Sequence, residues 1–404
     1  MVISVLGAGI QGTLVALALA QKGHSVTLID KSPRALFRAS LRNEGKIHLG
    51  FIYAKDKSYR TSSLMLKSAI RFAPIVDEIL ERQLPWENMR SLPFVYVISK
   101  ESMLAPDELI KVYSNLDKDY QEQKGDASVH YLGLKPENLF RLSTSKNHFN
   151  WISPQFAQQF VETNEYSLDL VQFQSHLSNS LEISSIHQRF NHTINEVVRT
   201  SSGFRSVCNN ETGSKTEIRS EIVINCLWEG RLLIDQQLGI TPLHQWVYRL
   251  KYRYMAKRLS LPPDLSSYTF VLGAYGDIVS YPNSDYYLSW YPIGMKGWSS
   301  EISTPQEWET PCYGEINPEV QKNYFHESIK EFQKIVPILH KAEMSYVDAG
   351  IIMTWGDTDI TDPNSKLHER WEVGINHYDG YFTVDCGKFT CAPYFAKELV
   401  TKYL

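Results

Sequence analysis

The sequence predicts an α/β fold, α+β over the chain as a whole, built as two lobes. Three observations predict it. The first thirty residues read as strand, glycine-rich turn, helix and second strand. Residues 244–292 are dense in aromatic and β-branched side chains with turns between the runs, the pattern of an antiparallel sheet. At 404 residues the chain is long for a single core.

The opening unit is the most specific. Val2 to Leu6 is a short apolar run, Gly7-Ala8-Gly9-Ile10-Gln11-Gly12 follows at once, Thr13 to Gln21 suits a helix, and Val26 to Ile29 is a second apolar run ending on Asp30. This is a Rossmann-like βαβ unit with a phosphate loop in its first turn. Gly7 allows the tight turn and Gly9 lets the backbone approach a pyrophosphate. Gly12 lets helix and strand pack closely, the helix N-terminus faces the anion, and Ile10 and Gln11 belong to the cofactor-binding loop. Asp30, followed by Lys31, stands where a carboxylate accepts hydrogen bonds from an unphosphorylated ribose. These residues alone leave open whether the dinucleotide is FAD or NAD.

Composition bounds the remaining classes. Hydrophobic residues at 43% and charged residues at 21% are ordinary for a globular protein, and a net charge of −4 gives no reason to expect nucleic acid. Val2 to Ala20 is apolar, but its glycines, Gln11 and the missing basic flank argue against a signal peptide. No other stretch approaches the ~20 apolar residues of a membrane span. Five cysteines without a CxxC pair favour reduced thiols, and hence a cytoplasmic protein, over disulfides or a metal site. The sequons at Asn191 and Asn210 then carry no meaning.

After the turn Lys31-Ser32-Pro33, residues 34–41 suggest a helix, and 42–53 have neither helical nor strand period. An aperiodic run with two glycines and several charged groups just after a nucleotide loop suggests a ligand-lining segment. Together, GxGxxG, an acid ending the second strand, and Ala39-Ser40-x-Arg42-Asn43-x-Gly45-x-Ile47-His48-x-Gly50 resemble the D-amino-acid-oxidase superfamily of FAD enzymes. The nearest branch holds glycerol-3-phosphate dehydrogenases and L-2-hydroxyglutarate oxidases. The resemblance implies FAD as cofactor and places Arg42, Asn43, Gly45, Lys46, Ile47 and His48 along it.

Farther on, apolar spacing predicts a helix over 62–81, with Pro74 the place for an interruption. A strand over 93–100 and a helix over 106–116 follow, then a polar surface loop or helix to 128. Residues 151–181 read as mainly helical. Short strands over 192–200, 204–209 and 215–219 form a meander feeding an apolar strand over 221–226. By resemblance, the Ile194 backbone touches the adenine. The small residue and glycine usual after that strand are replaced by Cys226-Leu227-Trp228-Glu229-Gly230-Arg231. In 244–257, Tyr248, Tyr252 and Tyr254 share one strand face and Arg249 and Arg253 the other. That second face is either solvated or an anion site. A helix spans 318–340, with strands over 346–351, 368–375 and 380–384 after it. Gly387-Lys388-Phe389-Thr390 then opens a terminal helix, a turn suited to partial negative charge and similar to the Gly-Lys-x-Thr turn of the same branch.

Two side chains are the chemical candidates. Lys388, a cation where the helix dipole disfavours one, suits orienting a substrate or stabilising charge on the flavin. His48 is a candidate base, a flavin neighbour or, as in some relatives, a covalent anchor of the flavin. Tyr53, Arg249, Trp355 and Arg370 are the candidate substrate contacts, although the loop from Trp355 to Asp362 is acidic where relatives often carry an arginine. The expected division is 1–75, 150–235 and 345–404 for an FAD-binding domain, and 76–149 and 236–344 for an antiparallel-sheet substrate domain, both discontinuous in sequence. The expected activity is oxidation of a C–H beside an OH or amine of a small polar molecule by hydride transfer to flavin N5, with oxygen or another acceptor taking the electrons. A non-catalytic dinucleotide-binding protein and an NAD-linked dehydrogenase are the alternatives.

Overall fold

A computed structural model describes all residues, 1–404. Val2–Leu6 lies at the heart of a six-stranded sheet, ordered Gly374–Tyr378, Tyr381–Asp385, Ile222–Asn225, Val2–Leu6, Ser25–Ile29, His187–Arg189. All pairs are parallel except the antiparallel hairpin Gly374–Tyr378/Tyr381–Asp385. Burial on both faces explains why Ile3, Val5 and Leu6 do not follow a strict alternation, and why even Ser4 between them is fully buried. The helix Ile10–Gln21 is apolar nearly all round because it is covered by the helices Arg60–Ile79, Leu170–Glu182 and Ala392–Lys402.

Arg60–Ile79 runs through Pro74 without a break. Proline removes the N–H that would bond the carbonyl four residues back, and here the Ile70 carbonyl accepts instead from the His130 N–H at 3.1 Å. The expected helix over 34–41 is absent and the segment is a run of turns. Its backbone is committed elsewhere: the Leu36 N–H donates to the Ala8 carbonyl (2.8 Å), Leu36 is left-handed at φ 56°, and Ser40 Oγ accepts from the Ile10 N–H (3.0 Å).

The second sheet has nine strands. Its path runs Met295–Ser299, Trp246–Ala256, Tyr286–Trp290, Gly276–Val279, Ser267–Val271, Phe94–Ser99, Ala157–Thr163, Phe140–Leu142, and Met344–Trp355 pairs along the whole of Trp246–Ala256. It is antiparallel apart from the Phe94–Ser99/Ser267–Val271 pair. Ala157–Thr163 falls where helix was expected, because Phe160 and Val161 pair against Val97 and Tyr96 some sixty residues earlier. That strand and Met344–Trp355, expected on the nucleotide side, belong to this sheet. The predicted strand over 368–375 begins only at Gly374, His368 closing a 3-10 turn. The helix Pro318–Phe332 packs on the sheet's outer face, where Tyr254, Trp290, Phe325 and Phe332 form a second core. The meander His192–Thr200, Gly203–Asn210, Lys215–Ser220 stands as a small third sheet. No helix is long and apolar enough to cross a membrane.

Candidate active site

The two glycine-rich turns, from opposite ends of the sequence, open onto one cavity of about 370 Å³. At the first turn the glycines are sterically required. A Cβ on Gly7, whose φ is +93°, would lie 2.6 Å from the Cys226 carbonyl oxygen, and one on Gly12 would lie 1.8 Å from the Gly7 oxygen. Gly9, Ile10 and Gln11 line the cavity, and both polar atoms of the Gln11 amide are buried there without a protein partner. A helix N-terminus, a glycine floor and an orphaned amide make a donor set that fits a pyrophosphate.

Asp30 also lines the cavity. Its carboxylate accepts from the Ala8 N–H (2.6 Å) and the Ser32 N–H (2.7 Å), which fixes it beside the phosphate loop. Burial pushes its pKa up, against those two N–H groups. Ile194 reaches the same end from the meander, at a bulge between Ile194 and Glu196, braced by Gln237. A bulge frees backbone from the ladder, which suits main-chain recognition of a base edge.

Lys31 lines the same cavity, with its ammonium held by acids. Its ammonium is 2.8 Å from Glu309 and 3.8 Å from Glu229, and Arg38 bridges the same two acids at 2.7 and 2.9 Å. Glu309 sits on a segment of the other lobe that also brings Ile302, Ser303 and Thr304 to the cavity wall. Ser40 and Glu229 stood in quoted motifs without a role of their own, and Arg38 and Glu309 were not singled out from sequence. The departure at Cys226–Arg231 pointed to the place of Glu229, but nothing local marks Glu309.

In the aperiodic segment, residues divide by role. Arg42, Asn43, Lys46 and His48 line the cavity, whereas Gly45 and Ile47 do not. A Cβ on Gly45 would lie 2.3 Å from the Leu168 oxygen, and Ile47 is fully buried with its N–H on Tyr166, so these two were expected beside the cofactor but serve packing. Asn43 spends its amide on the turn, donating to the Ala39 and Ser40 carbonyls and accepting from the Gly45 N–H. Arg42 donates to the Phe37 carbonyl and lies 3.5 Å from Asp348. The Lys46 ammonium is buried against Asp277 (2.6 Å), Thr269 (2.5 Å) and the Phe94 ring.

Thr390 ties the second turn to this segment. Its hydroxyl accepts from the His48 N–H (2.9 Å) and donates to the Lys46 carbonyl (3.3 Å), while Gly387, Lys388 and Phe389 line the cavity. The turn is held from beneath, where Asp385 accepts from the Gly387 N–H (2.9 Å) and from the buried Arg231 (3.0 Å). The Lys388 ammonium has no carboxylate within salt-bridge distance. Burial brings its pKa down to about 8, helped by Arg370, Lys251 and Arg249 and opposed by Glu44. Glu44, also on the wall, is 3.7 Å from His48. Burial pushes its carboxyl up, but His48, Lys388 and Lys251 outweigh that and hold it well below the usual range. His48 is lowered by burial and by Lys388, against Glu44, and its Nδ1 is buried without a partner.

Tyr53, Arg249, Trp355 and Arg370 do not line this cavity: Tyr53 touches His48, Arg249 and Arg370 act on the charge of Lys388, and the Trp355 ring lies under Arg231 (5.6 Å). Each carries a buried polar atom with no partner: the Tyr53 hydroxyl, Arg249 Nε, Trp355 Nε1 and Arg370 Nε. Tyr53 packs edge-on to His48 (5.5 Å between rings). Arg249 is 2% exposed, so its strand face is not solvated; it donates to the Tyr291 hydroxyl (2.9 Å), which donates to Asp359 (2.7 Å). The acidic loop thereby acts as a brace. Arg370 donates to the Met353 carbonyl (3.3 Å), and its pKa falls to about 10, from burial first and Arg249 second.

Comparison with known proteins agrees with this architecture. The family model described as "DAO: FAD dependent oxidoreductase" matches residues 3–401. Among solved structures, the chain is similar to glycine oxidase from Geobacillus kaustophilus (13% identity, TM-score 0.68, covering 98% of this chain and 93% of that one). It is similar also to L-proline dehydrogenase from P. horikoshii (14%, 0.62, 99% and 93%). A third is the glycerol-3-phosphate dehydrogenase from Bacillus halodurans complexed with FAD (12%, 0.58, 98% and 63%). At such identities the likeness shows the fold. Comparison with curated proteins finds no match.

Proposed function

Since the chain belongs to the DAO family of FAD-dependent oxidoreductases, we propose that it oxidises a C–H bond next to an OH or amine of a small polar acid. FAD, rather than NAD, is thus the dinucleotide. When bound, it supplies a two-electron acceptor that takes hydride at flavin N5. On this reading Gly7, Gly9, Ile10, Gln11 and Asp30 hold the pyrophosphate and ribose, Ile194 the adenine, and the Lys46–His48 and Gly387–Phe389 segments flank the flavin.

One observation carries the substrate assignment. Tyr53 against His48, and Arg249 and Arg370 near Lys388, each bury a donor that no protein group satisfies, and Trp355 buries another. Tyr53, Arg249, Trp355 and Arg370 therefore bind the substrate, with the arginines on its acid group. Lys388 orients the substrate or stabilises negative charge as it develops at the flavin edge. His48, neutral at pH 7, takes the OH or ammonium proton at Nδ1 while Nε2–H points to Glu44, whose charge stabilises the imidazolium. Glu44 thus joins the site as a positioning residue. Oxygen or another acceptor completes the cycle.

The Gly387-Lys388-x-Thr390 turn supports the glycerol-3-phosphate dehydrogenase and L-2-hydroxyglutarate oxidase branch. The two-domain division follows the sheets, with 157–163 and 344–355 moved to the substrate side. Five buried free thiols support a cytoplasmic protein. The test is an anaerobic panel of amino acids, hydroxy acids and amines read by loss of flavin absorbance. Bleaching by at least one acid is expected, and a flavin that no member reduces would overturn the reading.

A further inference from the structure

A carboxylate that the proposed oxidation leaves unused is bonded to the peptide that follows His48. Glu165 is fully buried, just past the strand Ala157–Thr163, with its carbonyl on the Phe94 N–H (2.9 Å). One side-chain oxygen accepts from the Leu49 N–H (2.6 Å) and the other from the Tyr96 hydroxyl (2.5 Å). Both oxygens accept, the pattern of an ionised carboxylate. No lysine, arginine or histidine stands within salt-bridge distance of it, whereas the buried acids Asp348, Asp385 and Glu229 each meet an arginine.

Part of its task is geometric. His48 lies in a segment without a ladder of its own, and side chains hold its backbone on both sides. The Tyr131 hydroxyl donates to the Ile47 carbonyl (2.6 Å), Thr390 accepts from the His48 N–H (2.9 Å), and Glu165 takes the Leu49 N–H. A neutral glutamine would serve that last bond at lower cost, because a buried carboxylate without a cation is strongly unfavourable. The charge therefore needs a second reason.

The surroundings of the ring supply one. Glu44 and Lys46 act on His48 from its own segment, Tyr53 packs on it from the next turn, Lys388 acts from the C-terminal turn, and Glu165 acts from the large sheet. Burial disfavours a proton on the ring, and Lys388 and Lys46 add to that, while Glu44 and Glu165 oppose it. Glu44 is divided, since it also faces Lys388 and Lys251. Burial first, and Glu165 after it, pushes the hydroxyls of Tyr96, Tyr113 and Tyr131 up, so these stay neutral and leave the negative charge on Glu165.

We infer that Glu165 is a positioning residue for His48: it fixes the peptide that follows the histidine and supplies a standing negative charge that stabilises the imidazolium formed when His48 takes the substrate's proton. This rests on the reading of His48 as the base and deepens it. The proton moves from the substrate's OH or ammonium to Nδ1, and Glu165 exchanges none.

The test is the titration of His48 in the FAD-loaded protein, followed by NMR on isotopically labelled histidine, with His48→Gln identifying its signal. Glu165→Gln keeps an acceptor for Leu49 and removes the charge, so the His48 titration should fall by about half a pH unit or more. Tyr96→Phe guards against a folding failure of that variant. It withdraws one hydrogen bond from the carboxylate, leaves more of the charge to act on the ring, and should move the titration up. In flavin reduction by an acid from the panel, the rate should rise with pH as His48 loses its proton. In Glu165→Gln that rise should move to lower pH with the titration and reach a lower plateau, as a weaker base requires. A purely structural glutamate would move neither. A His48 titration unmoved in Glu165→Gln or, where that variant is insoluble, in Tyr96→Phe overturns the inference. A titration that shifts while no acid reduces the flavin would sink the oxidation and leave the tie between Glu165 and His48 standing. Reduction by an acid with an unmoved titration would do the reverse.

Discussion

Lys388→Met is expected to make the protein more stable and the enzyme slower. Burial and three neighbouring cations hold the Lys388 pKa at about 8 against an ordinary 10.5. Each pKa unit corresponds to ~1.4 kcal/mol, so the charged form is disfavoured by ~3 kcal/mol at most, and water in the cavity reduces that to ~1–3 kcal/mol. Because the folded pKa is depressed, the penalty is fully present below pH 8 and fades as pH rises from 8 to 10.5, where the unfolded chain holds the extra proton. Methionine keeps most of the volume and carries no charge. Urea unfolding at pH 7 should therefore show the variant more stable, with the advantage shrinking toward pH 10. Anaerobic stopped-flow reduction should show the opposite sign, a loss of a hundredfold or more, the ~2.7–4 kcal/mol typical of one preorganised electrostatic contact. In the wild type that rate should fall as pH rises through about 8. A reduction rate within threefold of wild type would remove Lys388 from the site, and a variant less stable at pH 7 would refute the charge strain.

Three further outcomes follow from the cofactor channel. Asp30→Ala removes a carboxylate and leaves the Ala8 and Ser32 N–H groups without their acceptor. At ~1.5–3 kcal/mol per charge-assisted bond, FAD affinity should fall tenfold or more, and unchanged retention after dialysis would place the ribose elsewhere. Gly12→Ala would set a Cβ 1.8 Å from a backbone oxygen, so the variant should be colourless or insoluble, and a yellow, stable product would contradict the packing. Glu309→Gln cuts the tie to Lys31 and Arg38 and should speed FAD release, while the wild type alone should show release accelerated by salt. Equal release rates at low salt would mean that the segment does not restrain the cofactor.

The sequence carried the βαβ unit and the C-terminal turn because their requirements are local: a glycine that must be left-handed, an apolar run buried on both faces, a small turn before a helix. It misjudged residues 34–41, whose helical composition is overridden by hydrogen bonds to Ala8 and Ile10 that no window of a few residues contains. Ala157–Thr163 was read as helix for the same reason, since its partner strand lies some sixty residues away. Gly45 was assigned to the cofactor from its motif, yet the structural reason for glycine there is Leu168. The Arg249/Arg253 face was visible as an alternation, but solvent and a buried anion site give the same alternation, and only burial separates them. Glu309 was invisible, because its meaning lies in Lys31 and Arg38 more than 270 residues earlier.

The six-stranded sheet takes its strands from residues 2–6, 25–29, 187–189, 222–225, 374–378 and 381–385. A strand at a sheet edge presents unpaired backbone N–H and C=O groups, so during synthesis Ile222–Asn225 keeps one edge bare until Tyr381–Asp385 has been made, more than 150 residues later. At 5–20 residues per second that is an interval of roughly ten to thirty seconds on the ribosome. For that time the nascent chain carries a row of unpaired backbone N–H and C=O groups, a template on which another chain can pair. The cavity shares that dependence, since its wall is complete only when Gly387, Lys388 and Phe389 have joined the N-terminal loop.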